Sequence, residues 1–106
     1  MKLWIDDLRP MPEGYDVHSK SVFNAEIIID RCVTYGIPIE YISLDHDAGA
    51  EYENGGDFIK VLDYLEFIKK KYGVEPCTKF RIHTGNIVGA ENMRRIIKAN
   101  NWIELR

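Results

Sequence analysis

The sequence has no long hydrophobic run. No stretch approaches the roughly 20 apolar residues of a membrane span, and the first residues lack the apolar core of a secretion signal; a cytoplasmic protein with no membrane partner is the expectation. Cysteine is scarce: only Cys32 and Cys77 occur, without metal-ligand spacing. They read as buried free thiols in a reducing compartment, Cys32 on the apolar stripe of a helix. Positive charge is not in excess either, since 14 Lys and Arg stand against 17 Asp and Glu for a formal net charge of -3. Such a chain is poorly suited to gripping a long polyanion. That argues against duplex nucleic acid as a partner and leaves open a small nucleotide or phosphate ester held at one site. Repeats and low-complexity tracts are absent, so no part reads as a linker, and residues 1–106 read as one domain.

What the chain does have is apolar runs that stop abruptly at ionisable residues. Tyr41-Ile42-Ser43-Leu44 runs into Asp45-His46-Asp47, Leu3-Trp4-Ile5 into Asp6-Asp7, and Phe80-Arg81-Ile82 into His83-Thr84. Short apolar runs bounded by polar residues read as buried strands. Groups at the C-terminal ends of such strands sit where open α/β sheets place their binding crevice.

Taken in order, Lys2–Ile5 reads as a first strand and 6–14, with two prolines and a glycine, as a loop. Tyr15–His18 alternates weakly as a second strand whose direction the sequence leaves open, because the connection is short for a helical crossover. Ser21 caps a helix over Val22–Tyr35, stopped by Gly36 and Pro38. Tyr41–Asp45 is the third strand, and 46–56 a polar, glycine-bearing loop. Asp57 reads as the N-cap of a second helix carrying Phe58, Val61, Leu62, Leu65, Ile68 and Tyr72, ended by Gly73. Lys69, Lys70 and Lys71 suit its negative end. Lys79–Ile82 is a fourth strand, and a third helix starts around Val88 to Glu91, with Met93, Ile96, Ile97 and Asn100 on one side. Trp102–Leu105 is a final strand. This alternation implies an α/β protein with a mostly parallel sheet and helices on its faces.

Asp6, Asp7 and Asp45 converge if the first and third strands are neighbours, about 4.8 Å apart. Three carboxylates so close repel one another unless a cation intervenes, and hard oxygen donors suit a divalent metal, Mg²⁺ or Mn²⁺. A lone aspartate would more simply cap a turn or pair with Arg9. His46 and His83 each follow an apolar strand; such a pair can give and take a proton around one phosphorus, although each could instead bond a neighbouring carbonyl. His18 receives no role. Arg9 can clamp a phosphate, while Thr84, Asn86 and the following helix N-terminus can donate to it. Arg94 and Arg95 are expected at the surface.

Leu3-Trp4-Ile5-Asp6-Asp7-Leu8-Arg9-Pro10, Ser43-Leu44-Asp45-His46-Asp47, Ile82-His83-Thr84-Gly85-Asn86 and Asn92-Met93-Arg94-Arg95 together resemble the cyclic-phosphate processing receiver-like family, within the response-regulator receiver superfamily. The resemblance spans nearly the whole chain. It implies a three-layer, receiver-like (flavodoxin-like) sandwich with a five-stranded sheet of order 2-1-3-4-5. By position, Asp6, Asp7 and Asp45 match the receiver's metal and phosphoacceptor acids, and Thr84 its hydroxyl residue. Two features depart from a receiver. The first helix is reduced to a proline-bearing loop, and Glu104-Leu105-Arg106 stands where a lysine and a last helix would follow.

Two functions are thereby expected. The first is a metal-assisted hydrolase (phosphoesterase) acting on a cyclic nucleotide or an RNA 2′,3′-cyclic phosphate end. In it, Asp6, Asp7 and Asp45 hold the metal; His46, His83 and Asp45 serve catalysis; Arg9, Thr84 and Asn86 bind the phosphate. The alternative is a degenerate receiver, working as a phosphoacceptor through Asp45 or as a non-catalytic nucleotide-binding module.

Overall fold

The element that organises the sheet is β1 (Lys2–Ile5), short, apolar and flanked on both sides. In the computed structural model, which describes residues 1–106, β1 pairs in parallel with β2 (Val17–Ser19) on one side and with β3 (Tyr41–Leu44) on the other. β4 (Lys79–Ile82) and β5 (Ile103–Glu104) extend the sheet beyond β3, also in parallel, to give the order 2-1-3-4-5. The expected α/β receiver-like fold is the one observed.

Successive strand residues point to opposite faces. Leu3, Ile5, Ile42, Leu44 and Phe80 share one face and belong to a single buried cluster of 20 residues. The helices α1 (Val22–Tyr35), α2 (Ile59–Tyr72) and α3 (Ile87–Ala99) supply most of the rest, through Val22, Ala25, Ile29, Val61, Leu62, Leu65, Met93 and Ile97 among others, and connecting segments add Ile39, Ala48, Phe58, Cys77 and Trp102. The alternate residues, Trp4 and Ser43, lie outside that cluster and are buried all the same. On this face the third layer is the 6–16 segment rather than a helix. Tyr15 packs edge-on against both Trp4 (5.1 Å) and Tyr41 (5.6 Å), and the Trp4 indole N–H donates to the Arg9 carbonyl. A helix-free connection can therefore join two parallel strands, because the aromatic trio folds it flat over the sheet.

Several sequence boundaries shift. The second strand runs from Val17 to Ser19; Asp16, just before it, accepts from the Lys2 N–H through its carboxylate and donates its own N–H to the Lys2 carbonyl. It is parallel to β1, which settles its direction. The 46–56 loop contains a 3₁₀ helix, Gly49–Asn54. Asp57 does not cap α2: the preceding residue of that helix is Phe58, which makes no side-chain cap, and Asp57 Oδ1 accepts instead from the Ala48 N–H. α3 starts earlier than its apolar stripe suggests, because Asn86 caps it by accepting from the Gly89 N–H. Trp102 precedes the last strand and packs on Phe80 in the core. Asn100, on the apolar side of α3, is buried but satisfied by Glu66 and the Ile96 carbonyl. Ser21 and Gly36 bound α1 as expected.

Cys32 and Cys77 are both free and buried. Burial pushes the Cys77 thiol up to about 11. Because the thiolate is the nucleophile, iodoacetamide is expected to leave both cysteines unmodified in the native protein and to alkylate both in denaturant. Full labelling of the native protein, read by intact mass, would contradict this packing. No helix is long and apolar enough to cross a membrane.

Candidate metal and phosphate site

Ile5, Leu44 and Ile82 lie in one register row across β1, β3 and β4. The next residue of each strand is still laddered: Asp6 N–H donates to the Ser19 carbonyl, Asp45 N–H to Ile5, and His83 N–H to Leu44. Asp6, Asp45 and His83 are thus fixed side by side at the C-terminal edge, with Asp45 in the middle. The sheet itself, not a flexible loop, positions them.

Asp6 is the hub. Its side chain is 1% exposed. Oδ1 accepts from the Leu8 and Arg9 N–H groups (2.8 and 2.9 Å), a turn built on its own carboxylate, and Oδ2 lies 3.0 Å from His83 Nε2. Burial acts to raise the Asp6 carboxyl, but these backbone donors and the His83 ring outweigh it and hold it below its ordinary 3.8. Asp7 goes the other way. Partial burial raises it, and repulsion from Asp6, Asp45 and Glu51 adds to the rise. Oxygens of Asp6, Asp7 and Asp45 lie within 4.8 Å of one another. Gly49, with positive φ, sits so close to Asp7 that any side chain there would run into the carboxylate. Three hard carboxylate donors this close, with Asp7 raised partly by its two neighbours, are a donor set that fits a divalent cation such as Mg²⁺.

Arg9 reaches across this cluster. Its Nη1 donates to the His83 carbonyl at 2.6 Å and lies 3.5 Å from Asp6 and 3.9 Å from Asp45. The Arg9 side chain as a whole is half exposed, and Nη1 is the only guanidinium nitrogen engaged with the protein.

The two histidines occupy different surroundings. His83 stacks flat on Trp4 (3.8 Å, 3°), with Nδ1 2.8 Å from Ser43 Oγ. Burial holds its imidazole below the ordinary 6.5 despite the nearby Asp6. His46 places Nδ1 2.8 Å from Asp47 Oδ1, and its ring lies against Gly89 of α3, where a Cβ would come within 2.5 Å of the ring. The hydrogen bond from His46 is what chiefly holds the Asp47 carboxyl below its ordinary value. His46, Asp47 and Asp57 offer donor atoms within 4.8 Å of one another, a second and mixed cluster.

Thr84 and Asn86 do not behave alike. Thr84 Oγ1 accepts from the Asn86 N–H, which leaves its hydroxyl proton available to a ligand. Asn86, expected to hold phosphate, is engaged at both ends: Oδ1 caps α3, and Nδ2 donates to Asp47. Arg94 pairs with Glu104, tying α3 to β5 away from the acids. Sequence reasoning placed Asp47 at this edge without giving it a role, and missed Trp4, Ser43 and Gly89. For two of them a signal was there: a serine inside a buried strand and a glycine in a helix are both locally unfavourable.

In metal-free protein these groups contribute to the acid limb of stability. His83 is neutral in the folded chain and more readily protonated in the unfolded one, so stability is expected to fall as pH drops below 6.5 towards the lowered folded value. Asp6 adds a second loss below 3.8. Above 6.5 both contributions are fully present. Asp7, raised in the fold, takes up a proton more readily there and opposes part of the loss. Denaturant midpoints measured against pH in EDTA check this; a flat profile from neutrality down to the carboxylate range would contradict it.

A sequence profile described as "Cyclic-phosphate processing Receiver domain" matches residues 1–99. No curated protein and no solved structure matches the chain. With the parallel 2-1-3-4-5 sheet and acids at the strand ends already in place, that match over nearly its whole length makes this chain a member of the cyclic-phosphate processing receiver family.

Proposed function

We propose that this domain is a metal-assisted phosphoesterase that opens a cyclic phosphate, in a cyclic nucleotide or at an RNA 2′,3′-cyclic end. The observation that carries the reading is the convergence of the Asp6, Asp7 and Asp45 carboxylates within 4.8 Å, beside the Arg9 guanidinium. Asp6, Asp7 and Asp45 would hold Mg²⁺ or Mn²⁺, which when bound neutralises phosphoryl charge. Arg9 and Thr84 bind the non-bridging phosphate oxygens, Arg9 through the guanidinium nitrogens that make no bond within the protein. Asp6 stays ionised, and a histidine at the rim moves the proton. The formal net charge of -3 disfavours a long polyanion and favours a small ligand engaged at one point. Two buried free thiols suit a reducing cytoplasm.

The test is a screen of cyclic mono- and dinucleotides and 2′,3′-cyclic phosphate ends, with Mg²⁺, with Mn²⁺ and with EDTA, following ring opening by ³¹P NMR. Metal-dependent opening of at least one class is expected. A lasting phosphate adduct on the wild type after acetyl phosphate and Mg²⁺, lost in Asp45→Asn, with no ring opening, would favour the phosphoacceptor reading instead.

A further inference from the structure

We propose that the two histidines of this rim do different work: His46, held by Asp47, is the proton-transfer residue, and His83 is a positioning residue that fixes the Asp6 carboxylate. The chemistry rests on the phosphoesterase reading; the assignment rests on hydrogen-bond geometry.

An ionised carboxylate only accepts hydrogen bonds. His83 Nε2, 3.0 Å from Asp6 Oδ2, must therefore carry its proton, and Nδ1 is left to accept from the Ser43 hydroxyl at 2.8 Å. Ser43 is fully buried and the ring is clamped flat on Trp4. With both nitrogens engaged and the ring unable to turn, His83 has no lone pair to offer water. What it can do is hold Asp6 in place, as outer-shell groups hold metal ligands.

His46 is arranged the other way. Asn86 Oδ1 accepts from Gly89, so its Nδ2 is a donor, and it donates to Asp47 Oδ1 at 3.1 Å. Asp47 Oδ1 also accepts from His46 Nδ1 at 2.8 Å. That places the imidazole proton on Nδ1 and the lone pair on Nε2, which has no protein partner. A carboxylate that fixes tautomer and orientation in this way is the role an aspartate plays for a catalytic histidine. Local structure yields to this arrangement. Gly89, in the first turn of α3, is a poorer helix residue than alanine, yet any side chain there would strike the His46 ring. Departures from local preference of this kind are expected at functional sites.

In the step itself, Nε2 of His46 takes a proton from water as the water oxygen bonds to phosphorus. The ring P–O bond breaks and its electron pair stays on the departing oxygen, which is protonated from solvent. His46 then returns its proton to solvent.

Three measurements test the assignment. ¹⁵N-resolved imidazole spectra of the wild type should show the Nδ1–H tautomer for His46 and the Nε2–H tautomer for His83. Mg²⁺ titration should find affinity unchanged in His46→Ala and Asp47→Asn, reduced about 10- to 100-fold in His83→Ala, and largely restored in His83→Gln, which keeps an N–H for Asp6. With 2′,3′-cyclic AMP as probe, His46→Ala and Asp47→Asn should each lose turnover by about 100-fold or more, with Asp47→Glu recovering part, while His83→Gln loses a few-fold. The assignment is overturned by reversed tautomers, by His83→Gln losing as much turnover as His46→Ala at full Mg²⁺ affinity, or by Mn²⁺ seated on His46, Asp47 and Asp57. If the wild type opens no cyclic phosphate, the phosphoesterase reading fails, and the tautomers and Mg²⁺ affinities alone still decide the assignment.

Discussion

Asp45→Asn is expected to abolish most Mg²⁺ affinity while leaving the fold standing, and Asp6→Asn is expected to lose both. The difference lies in what each carboxylate holds. Asp45 accepts from the His46 N–H at 2.8 Å and lies 3.9 Å from Arg9. An asparagine oxygen keeps the first contact, so stability should change little. As a candidate ligand, however, Asp45 should matter more than an outer-shell partner, whose loss costs about 10- to 100-fold. Asp6 is buried and bonds two backbone N–H groups and His83. Asparagine can still accept from the backbone, but it turns an amide N–H₂ towards the His83 N–H. Two buried donors facing each other, with the charge removed, cost on the order of 3 kcal/mol. Calorimetric Mg²⁺ titration and denaturant midpoints separate the two effects. Wild-type affinity in Asp45→Asn would remove that residue from the site.

Gly89→Ala is expected to uncouple stability from activity. Alanine is a better helix residue than glycine, and the first turn of α3 alone would gain. The new methyl, however, would stand 2.5 Å from His46 Cγ, with Cδ2 and Nδ1 nearly as close. The ring must swing away, taking Nδ1 from Asp47. We expect folded, comparably stable protein whose turnover of cyclic phosphates falls by about 100-fold, the scale of a lost proton-transfer group. Unchanged turnover in folded Gly89→Ala would mean that the His46 seat is packing and nothing more.

The acids were legible because an apolar strand that ends in Asp-Asp or Asp-His-Asp leaves little choice about where those groups emerge. The helices were legible for a similar reason: Val22, Ala25, Ile29 and Cys32 repeat at the helical period between Ser21 and Gly36, and all are buried on one side. β2 was harder. Three residues carry little pattern, and its direction is set by how Tyr15 folds over Trp4 and Tyr41, a contact no local rule encodes. Asn86 and Asp57 show a second limit. The same amide that could hold a phosphate also caps a helix, and the same carboxylate that could cap a helix also bonds a remote N–H; only the surrounding chain decides. His83 shows the third. Its partners Ser43 and Asp6 are 40 and 77 residues away, so residue type alone advertised proton transfer and gave no sign that both ring nitrogens are engaged.

The absence of a helix between β1 and β2 bears directly on the site. The segment that replaces it begins with Asp6, Asp7, Leu8 and Arg9, folded tightly by the Asp6 carboxylate itself. The same residues thus cover the sheet and deliver two acids and a guanidinium to its edge. Folding of that corner and construction of the site are one event, which is why a change at Asp6 should be felt in both.

The most direct measurement is paramagnetic broadening of backbone amide signals on adding substoichiometric Mn²⁺ to the ¹⁵N-labelled protein. Signals from Asp6, Asp7 and Asp45 should vanish first, with those of His46 and His83 close behind, and excess Mg²⁺ should restore them. Broadening centred elsewhere on the chain, or none at any Mn²⁺ level that Mg²⁺ can reverse, would contradict a cation held at the ends of β1 and β3.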